Sequence, residues 1–345
     1  IVINRSHPYI DNNLIQHNKD DSVYENSGGI RLYFAIGDNL IIRRNIFRNN
    51  HAQSHAGIGA GIRLLAGENI RIYNNIFVDN TAHVTNAYDG SSGIYIDNAS
   101  GPYYVQKNSF INNSITGVNG EYSYLASAIS SDGSNVYIEN NLIANNNAQS
   151  GNIMGGVIIQ GSTFQNNNVV GNSPYDISLR QADIDAENNY WGNSATSSIS
   201  NSIYDFNDSG NLGVVDYDPF LTSPNIDAPN SPPHNVVMSA SSGGVTISWD
   251  ANPESDVAGY KVYYGDPTGY SFASSIDAGN GTEVTLSGLS LSDSIAVTAY
   301  DGDIDGTDDQ TDGNESWFSS YAKYVNETPI ISAVADTTIL EDAGL

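Results

Sequence analysis

The sequence predicts an all-β protein in which a stacked coil of parallel strands is followed by a smaller β-sandwich. Two features of the 345 residues support the coil: asparagine bends recur at a nearly constant spacing, and short alternating stretches lie between them. A Pro-rich segment then separates this repeat from a second group of strands. The alternating stretches have no helical periodicity between them, which argues against β-α-β units and favours strands that coil directly onto one another.

Each repeat unit runs from apolar residues into Asn, then two apolar residues, then Asn or Asp about four positions on. The copies start at Asn13, Asn45, Asn75, Asn108, Asn141, Asn168 and Asn189, at intervals of 32, 30, 33, 33, 27 and 21 residues. Such a period means that units bury their apolar edges against one another, so we expect about seven coils. Equivalent asparagines, ~4.8 Å apart, can form a hydrogen-bonded ladder, and Asn tolerates the left-handed conformation of a sharp bend. A Greek-key sandwich is the alternative, but it gives no reason for bends to recur in register.

The second alternating stretch of each unit starts at Ile30, Ile62, Ile94, Val157 or Ile177 and has the period of a strand. Its outward positions are expected to stack in two columns. One column contains Arg31, Arg63, Tyr95, Ser130, Ile158 and Ser178, and the other contains Tyr33, Leu65, Asp97, Asp132, Gln160 and Arg180.

This repeat resembles the pectate lyase-like right-handed parallel β-helix family over roughly residues 1 to 220, and the run from Asn188 to Gly192 is similar to its closing coil. Residues 203–220 are similar to the segment that often ends such helices. We expect them to cap the last coil of a domain spanning 1–221, because an open end would expose strand edges. The resemblance implies carbohydrate chemistry on an outward strand face, although fold alone does not establish activity.

The second half of the chain is predicted to hold a different domain. Residues 222–235 are Pro-rich and non-periodic, which is typical of a stiff linker. Residues 236–326 resemble a fibronectin type III domain with Trp249 and Leu289 in its core, although Ile295 stands where an aromatic residue normally opens the sixth strand. Residues 327–345 resemble a linker and the first strand of another immunoglobulin- or cadherin-like repeat, so we expect the native protein to continue.

An acidic loop in the second domain has the spacing of a calcium-binding loop. The candidate ligands are Asp301, Asp303, Asp305, Thr307, Asp309 and Asp312, with Gly306 at position 6. Carboxylates crowded into twelve residues repel one another unless a cation neutralises them, so Ca²⁺ is the expected cofactor. A solvated acidic loop is the alternative, since position 12 is Asp rather than Glu and strands rather than helices are expected to flank the loop.

Candidate catalytic residues lie on the outward strand face. Asp97 and Asp132 are expected on adjacent coils, where two carboxylates can share a proton or act as acid and nucleophile of a glycosidase. Arg63 and Tyr95 beside them can bind or deprotonate a sugar. Alternatively, both acids only shape bends, since Asp132 precedes Gly133 in a common turn pair.

A groove beside this face is predicted from the long connections at 48–61, 79–93 and 112–128, which precede consecutive strands. The candidate substrate-binding residues are Arg31, Arg63, Tyr88, Tyr122 and Tyr124, joined by Asp89 and Glu121. Packing of these connections on one another is the alternative.

Charge and composition restrict the possible partners. The chain has 12 basic and 39 acidic residues, a net charge of -27, which disfavours nucleic acid and anionic membranes. Half of the basic residues fall in two neighbouring coils (Arg31, Arg43, Arg44, Arg48, Arg63 and Arg71), either as a patch facing an acidic sugar or as a solvated stripe. Cysteine is absent, no apolar stretch is long enough to span a bilayer, and the 33 Gly with low charge density suit an extracellular β-protein.

Three functions follow from these observations. The first is a fragment of a large secreted or cell-surface bacterial protein whose β-helix recognises or processes extracellular polysaccharide, with a calcium-stiffened sandwich as spacer. The second is a polysaccharide lyase or glycoside hydrolase acting on an acidic glycan. The third is a structural adhesin or filament subunit that associates end to end.

Overall fold

The computed structural model describes residues 1–4, 8–21, 27–35, 40–55, 58–67, 69–86, 89–97, 101–117, 124–133, 135–149, 153–266 and 268–324. In these ranges the chain is all-β, with a parallel solenoid followed by two smaller sheets. The helices are the short segments Thr196–Asn201 and Asp309–Asp312. No helix in the ranges above is long and apolar enough to cross a membrane.

Two long parallel sheets, A and B, form adjacent walls of the solenoid. The strands of sheet A are Val2–Asn4, Ile30–Ala35, Ile62–Gly67, Ile94–Asp97, Tyr124–Ser131, Ile153–Ile159, Ile177–Leu179 and Ile203–Tyr204, with Ile58–Gly59 and Gly90–Ser91 beside them. The strands of sheet B are Tyr9–Asp11, Leu40–Arg43, Ile70–Tyr73, Tyr103–Gln106, Val136–Glu139, Thr163–Gln165, Ile184–Asp185 and Val215–Asp216. Neighbours in each sheet are one coil apart, as in the direct pairing of Ile30 with Ile62 and of Ile62 with Ile94.

Two shorter parallel sheets, C and D, complete each coil. Sheet C contains Leu14–Gln16, Ile46–Arg48, Ile76–Val78, Ser109–Ile111, Leu142–Ala144 and Asn168–Val170. Sheet D contains Lys19–Asp20, His51–Ser54, Thr81–Val84, Ser114–Gly117 and Asn147–Gln149. The connections at 48–61, 79–93 and 112–128, predicted to wall a groove, are therefore not loops throughout, because each contains a wall strand of sheet D and residues of sheet A.

The solenoid has about six turns, fewer than the seven predicted. The seventh asparagine motif, at Asn189, extends the wall only through an isolated bridge between Asn168 and Tyr190. Beyond it, Ile203–Tyr204 and Val215–Asp216 continue sheets A and B, and helix Thr196–Asn201 buries Ile199 against the core.

The solenoid core is built from stacked equivalent side chains. Phe47, Phe77 and Phe110 point inward from sheet C, with ring centroids 4.7 Å apart and nearly parallel planes. Isoleucine, leucine and valine from sheets A and B fill the remaining space in the same buried cluster. Each coil therefore covers the apolar edge of its neighbour, as the repeat predicts.

The two apolar residues after each asparagine have different partners. In the copy at Asn45, Phe47 points into the core, whereas Ile46 points outward from sheet C. The equivalent outward positions are Ile76 and Leu142, and with Val78, Ile111 and Ala144 they form an apolar outer face on sheet C. This face needs a cover of its own.

The asparagines form two buried ladders where one was predicted. The first runs through Asn13, Asn45, Asn75, Asn108, Asn141, Asn167 and Asn189, with Nδ2 to Oδ1 distances of 2.9 to 3.1 Å. The second runs through Asn18, Asn50, Asn80, Asn113, Asn146 and Asn172 and ends on the carboxylate of Asp176. The assignment of Asn168 to the first ladder is wrong by one residue, because Asn168 points outward.

The left-handed bend residue is the one before each ladder asparagine, not the ladder asparagine itself. In the first ladder these residues have φ between 52° and 60° and are Asn12, Arg44, Asn74, Lys107, Asn140, Asn166 and Asn188. The ladder side chain and the turn conformation are thus supplied by two adjacent residues.

The second half of the chain contains two sheets, E and F. Sheet E contains Glu283–Leu286, Gly244–Ser248, Val237–Ser241 and Lys323–Tyr324, and sheet F contains Ser274–Gly279, Gly259–Tyr264 and Ile295–Tyr300. All pairs are antiparallel except that between the strands of Val237 and Lys323. A core around Trp249 and Tyr260 lies between the sheets.

This second unit packs against the outer face of sheet C. Trp317 is only 4% exposed and lies in one apolar cluster with Ile76, Ile111 and Leu142, flanked by Phe318. The chain between the units is also attached, since Nδ2 of Asn225 donates to the backbone oxygen of Asn166 at 2.7 Å. The second unit therefore supplies the cover that sheet C needs.

Candidate functional site

The outer face of sheet A has the columns that the alternating pattern predicts. Arg63 pairs with Tyr95, Tyr95 with Ser130, and Ser130 with Ile158. The pairing of Ile96 with Ser131 also places Asp97 beside Asp132 on the next coil. Tyr95 and Ile158 are nevertheless buried, so this face is covered in part rather than open to solvent throughout.

An arginine and a carboxylate from adjacent coils meet on this face. Nη2 of Arg63 lies 3.2 Å from Oδ2 of Asp97, and the guanidinium carbon is 5.9 Å from the ring centre of Tyr95. Arg63 is almost fully buried, whereas Asp97 remains partly accessible. The ion pair therefore fixes Asp97 at the border between the covered part of the face and solvent.

A second ion pair lies close to the first and was not predicted. Nη2 of Arg180 is 2.8 Å from Oδ2 of Asp89, and its guanidinium carbon is 4.1 Å from the ring centre of Tyr124. The backbone N–H of Tyr124 donates to Oδ1 of Asp89. Arg180 was predicted in an outward column and Asp89 among the groove residues. Their pairing could not be inferred from the sequence pattern, because the two residues are 91 positions apart.

Two carboxylates of this site, Asp97 and Asp89, hold protons more tightly than ordinary aspartates. Burial raises the pKa of Asp97, the charges of Asp132 and Asp89 raise it further, and Arg63 opposes them. Burial likewise raises the pKa of Asp89 against the opposing effect of Arg180. The pKa of Tyr95 is raised well above its usual value, first by burial and then by these three carboxylates. The site thus combines potential proton donors with fixed cations.

The remaining predicted substrate-binding residues are spread more widely. Arg31 pairs with Arg63 on the neighbouring strand and lies 4.4 Å from the ring centre of Tyr33. Tyr88 and Tyr122 lie outside the described residues, as does Glu121.

The six arginines do not form a single patch, which was one of the two alternatives, because the strands direct them to different faces. Arg31 and Arg63 belong to sheet A, Arg43 and Arg71 to sheet B, and Arg48 to sheet C, while Arg44 occupies a bend. Residues close in sequence diverge because each coil changes direction between them.

The carboxylates of the predicted calcium loop accept hydrogen bonds from different backbone N–H groups of the loop. Oδ1 of Asp301 accepts the N–H of Asp303, Oδ1 of Asp305 accepts the N–H of Thr307, and buried Asp309 accepts the N–H of Asp305. Across the described ranges, no group of three or more His, Asp or Glu side chains is arranged to hold a metal ion.

The far end of this loop contacts the solenoid instead. Asp308 lies 3.8 Å from Arg44, and the backbone oxygen of Asp312 accepts a hydrogen bond from the side chain of Asn74. Calcium binding therefore stays a prediction from the spacing.

Comparison with known proteins gives one match, which covers part of the chain. A family model described as "Right handed beta helix region" matches residues 1–100. Together with the parallel solenoid, this match supports a right-handed parallel β-helix. No curated protein matches the chain. No solved structure matches it either.

Proposed function

We propose that the chain recognises an extracellular polysaccharide on the outer face of sheet A. One observation carries the proposal: two arginines and three aspartates from four coils surround Tyr95 on that face. The ion pairs hold the partly accessible carboxylates of Asp97 and Asp89 in place, so these acceptors lose little side-chain entropy on binding, which suits a ligand rich in hydroxyl groups. A long solenoid also offers such a ligand an extended surface.

The antiparallel unit is proposed to be a fibronectin type III-like spacer in a secreted, surface-attached protein. The strand order of sheets E and F supports this proposal. So do the backbone N–H groups of Ser316, Ser319 and Ala322, which donate to strand Ile295–Tyr300 as a further strand at the edge of sheet F would. The proposed resemblance to a fibronectin type III domain therefore rests on the strand topology and on Trp249 in the core.

A second candidate function is cleavage of an acidic glycan by a lyase or hydrolase mechanism. The raised pKa of Asp97 favours it, because a carboxylic acid that keeps its proton can donate to a departing glycosidic oxygen. The neighbouring Asp132 would then act as base or nucleophile. An end-to-end structural role is the third candidate.

Binding and cleavage are tested together on a panel of acidic and neutral polysaccharides. We expect the wild-type protein to bind at least one of them, and Asp97→Asn and Arg180→Gln to weaken binding by about tenfold, the loss typical of a charge-assisted hydrogen bond. Asp185→Asn is the matched control, since Asp185 is exposed on sheet B. Release of reducing or unsaturated ends that Asp132→Asn abolishes would favour the enzyme. Absence of binding, or equal loss in the control, would contradict the proposal.

A further inference from the structure

A cleft lies where the apolar outer face of sheet C continues past the region covered by Trp317. It has a volume of about 460 Å³, within the range of small-molecule sites. Leu14 and Ile46 form its solenoid side, and Tyr270, Phe272 and Phe318 form the opposite side. Ligand sites occur preferentially at such boundaries between domains.

The aromatic wall of the cleft is fixed by its own contacts. The rings of Tyr270 and Phe318 are stacked with centres 5.7 Å apart, and those of Phe272 and Phe318 are 4.9 Å apart. Tyr270, Phe272 and Phe318 each remain partly exposed. Rigid aromatic faces that open into a cleft suit the C–H face of a sugar ring, because they offer apolar area at little cost in side-chain entropy.

One buried cation faces the cleft. Arg48 is only 6% exposed, and its Nη2 donates to Oε1 of Gln16 at 2.6 Å while Nη1 donates to the backbone oxygen of Tyr270 at 3.4 Å. Since Gln16 also lines the cleft, the guanidinium edge is turned toward it. Nε of Arg48 is buried and finds no hydrogen-bond acceptor within the described part of the chain.

The charge of the cleft is opposite to that of the protein. The chain has 39 acidic residues, yet the described residues that line the cleft include none of them, and they include Arg48 and His17. Asp79 acts on Arg48 electrostatically from nearby, but no carboxylate of the described residues comes within 4.0 Å of this guanidinium. A fixed, buried cation without a contact ion pair attracts an anionic group.

We propose that this cleft binds an acidic sugar residue, whose carboxylate pairs with Arg48 and whose ring packs on Tyr270 and Phe272. The site is separate from the outer face of sheet A and does not depend on the function proposed for that face. Gln16 would release its hydrogen bond to Arg48 when the carboxylate enters, because an arginine fork binds a carboxylate more strongly than an amide oxygen.

Calorimetric titration of the full chain with trisaccharides of glucuronic or galacturonic acid, and with their methyl esters, tests the proposal. The ester keeps the shape of the sugar and removes its charge. We expect the acid to bind and the ester to bind about tenfold more weakly or worse, the effect of one lost charge-assisted contact. Equal binding of acid and ester, or no binding of either, would overturn it.

Substitutions locate the binding on the molecule. We expect Arg48→Gln and Phe272→Ala each to weaken binding by about tenfold. Phe272→Ala leaves the hydrogen bonds of Arg48 in place, so it tests the cleft even if Arg48→Gln loosens the packing of the two units. Arg71→Gln is the matched charge control, because Arg71 is exposed on sheet B over the ring of Tyr104. If Arg48→Gln and Phe272→Ala bind like the wild type, or Asp97→Asn abolishes the same binding, the assignment to the cleft is wrong.

Discussion

At the scale of single residues, the buried asparagines explain how the bends are satisfied. Nδ2 of Asn108 donates to Oδ1 of Asn141 and to the backbone oxygens of Ile72 and Gln106, and its Oδ1 accepts from Asn75. Buried backbone groups at a bend need such partners. An amide side chain of this length both accepts from one coil and donates to the next, so each interior ladder asparagine connects three coils.

Removing one interior member of the ladder is therefore expected to destabilise the protein strongly. Asn108→Ala should lower the free energy of unfolding by about 3 kcal/mol or more, because it leaves several buried backbone groups unsatisfied. Asn13→Ala, at the exposed start of the same ladder, should have a much smaller effect. Denaturant unfolding of both variants checks this, and equal losses would contradict the ladder argument.

The second ladder ends on a carboxylate instead of an amide. Asp176 is 4% exposed and accepts from the backbone N–H and Nδ2 of Asn172. Burial raises its pKa to about 6 from 3.8, although the hydrogen bonds from Asn172 and Ser202 oppose this. The folded state thus binds this proton more tightly than the unfolded state.

This difference predicts that stability changes with pH. Below pH 3.8 the carboxyl of Asp176 is protonated in both the folded and the unfolded state, so it does not destabilise the folded state. Stability falls as pH rises toward 6, because the unfolded state loses this proton first, and it stays lower above pH 6. Asp176→Asn should remove this dependence and raise the free energy of unfolding at neutral pH by about 1 to 3 kcal/mol. Thermal unfolding from pH 4 to pH 8 measures it, with exposed Asp185→Asn as control. An unchanged pH slope in Asp176→Asn would refute it.

The first ladder also shows why its last part could not be read from sequence. Three asparagines follow one another at 166–168, and the apolar pair after them favoured Asn168. In the structure Asn168 occupies the outward position of Leu142, and its Oδ1 accepts the N–H of Asn225. That choice depends on the chain segment that leaves the solenoid, which the local pattern does not contain.

At the scale of elements, long alternating strands were predictable and three-residue strands were not. The strands starting at Ile30, Ile62 and Ile94 have the register that alternation predicts. Sheets C and D contain strands of two to four residues, too short to show a period. The apolar outer face of sheet C was visible as a second apolar residue in most copies, with Ser109 as an exception, but its partner Trp317 lies in the other unit.

The acidic loop at 301–312 gives a prediction at this scale. If the loop binds Ca²⁺, the ion must rearrange carboxylates that now accept hydrogen bonds from backbone N–H groups. Because the ion would bind the folded state, it should raise the melting temperature by mass action. We expect Ca²⁺ to stabilise the wild type and to have no effect on Asp303→Asn/Asp305→Asn. Scanning calorimetry with Ca²⁺, and with Mg²⁺ for comparison, decides between a metal loop and a solvated acidic loop; no shift would favour the latter.

At the scale of the whole molecule, charge and packing join two units that differ in composition. Residues 1–224 hold 10 basic and 20 acidic residues, and 225–345 hold 2 and 19. Arg44 lies between them, 2.8 Å from Asp11 and 3.8 Å from Asp308. The candidate site likewise joins distant parts of the chain. The proximity of Asp97 and Asp132 was predictable from the strand register, whereas the pairing of Asp89 with Arg180 became evident only from the three-dimensional structure.

The first coil gives the last prediction, which concerns association of whole molecules. Val2, Tyr9 and Leu14 begin the first strands of sheets A, B and C and are 70%, 55% and 55% exposed, beside strand edges that can pair with another chain. We therefore expect the 345-residue chain to self-associate end to end in a concentration-dependent way. Val2→Lys should reduce this, because a charge at a strand edge opposes pairing. Ile276→Lys, at a partly exposed position on sheet F, should leave it unchanged. Light scattering across a dilution series checks both variants, and a monomeric wild type at all concentrations would exclude the filament function for this chain.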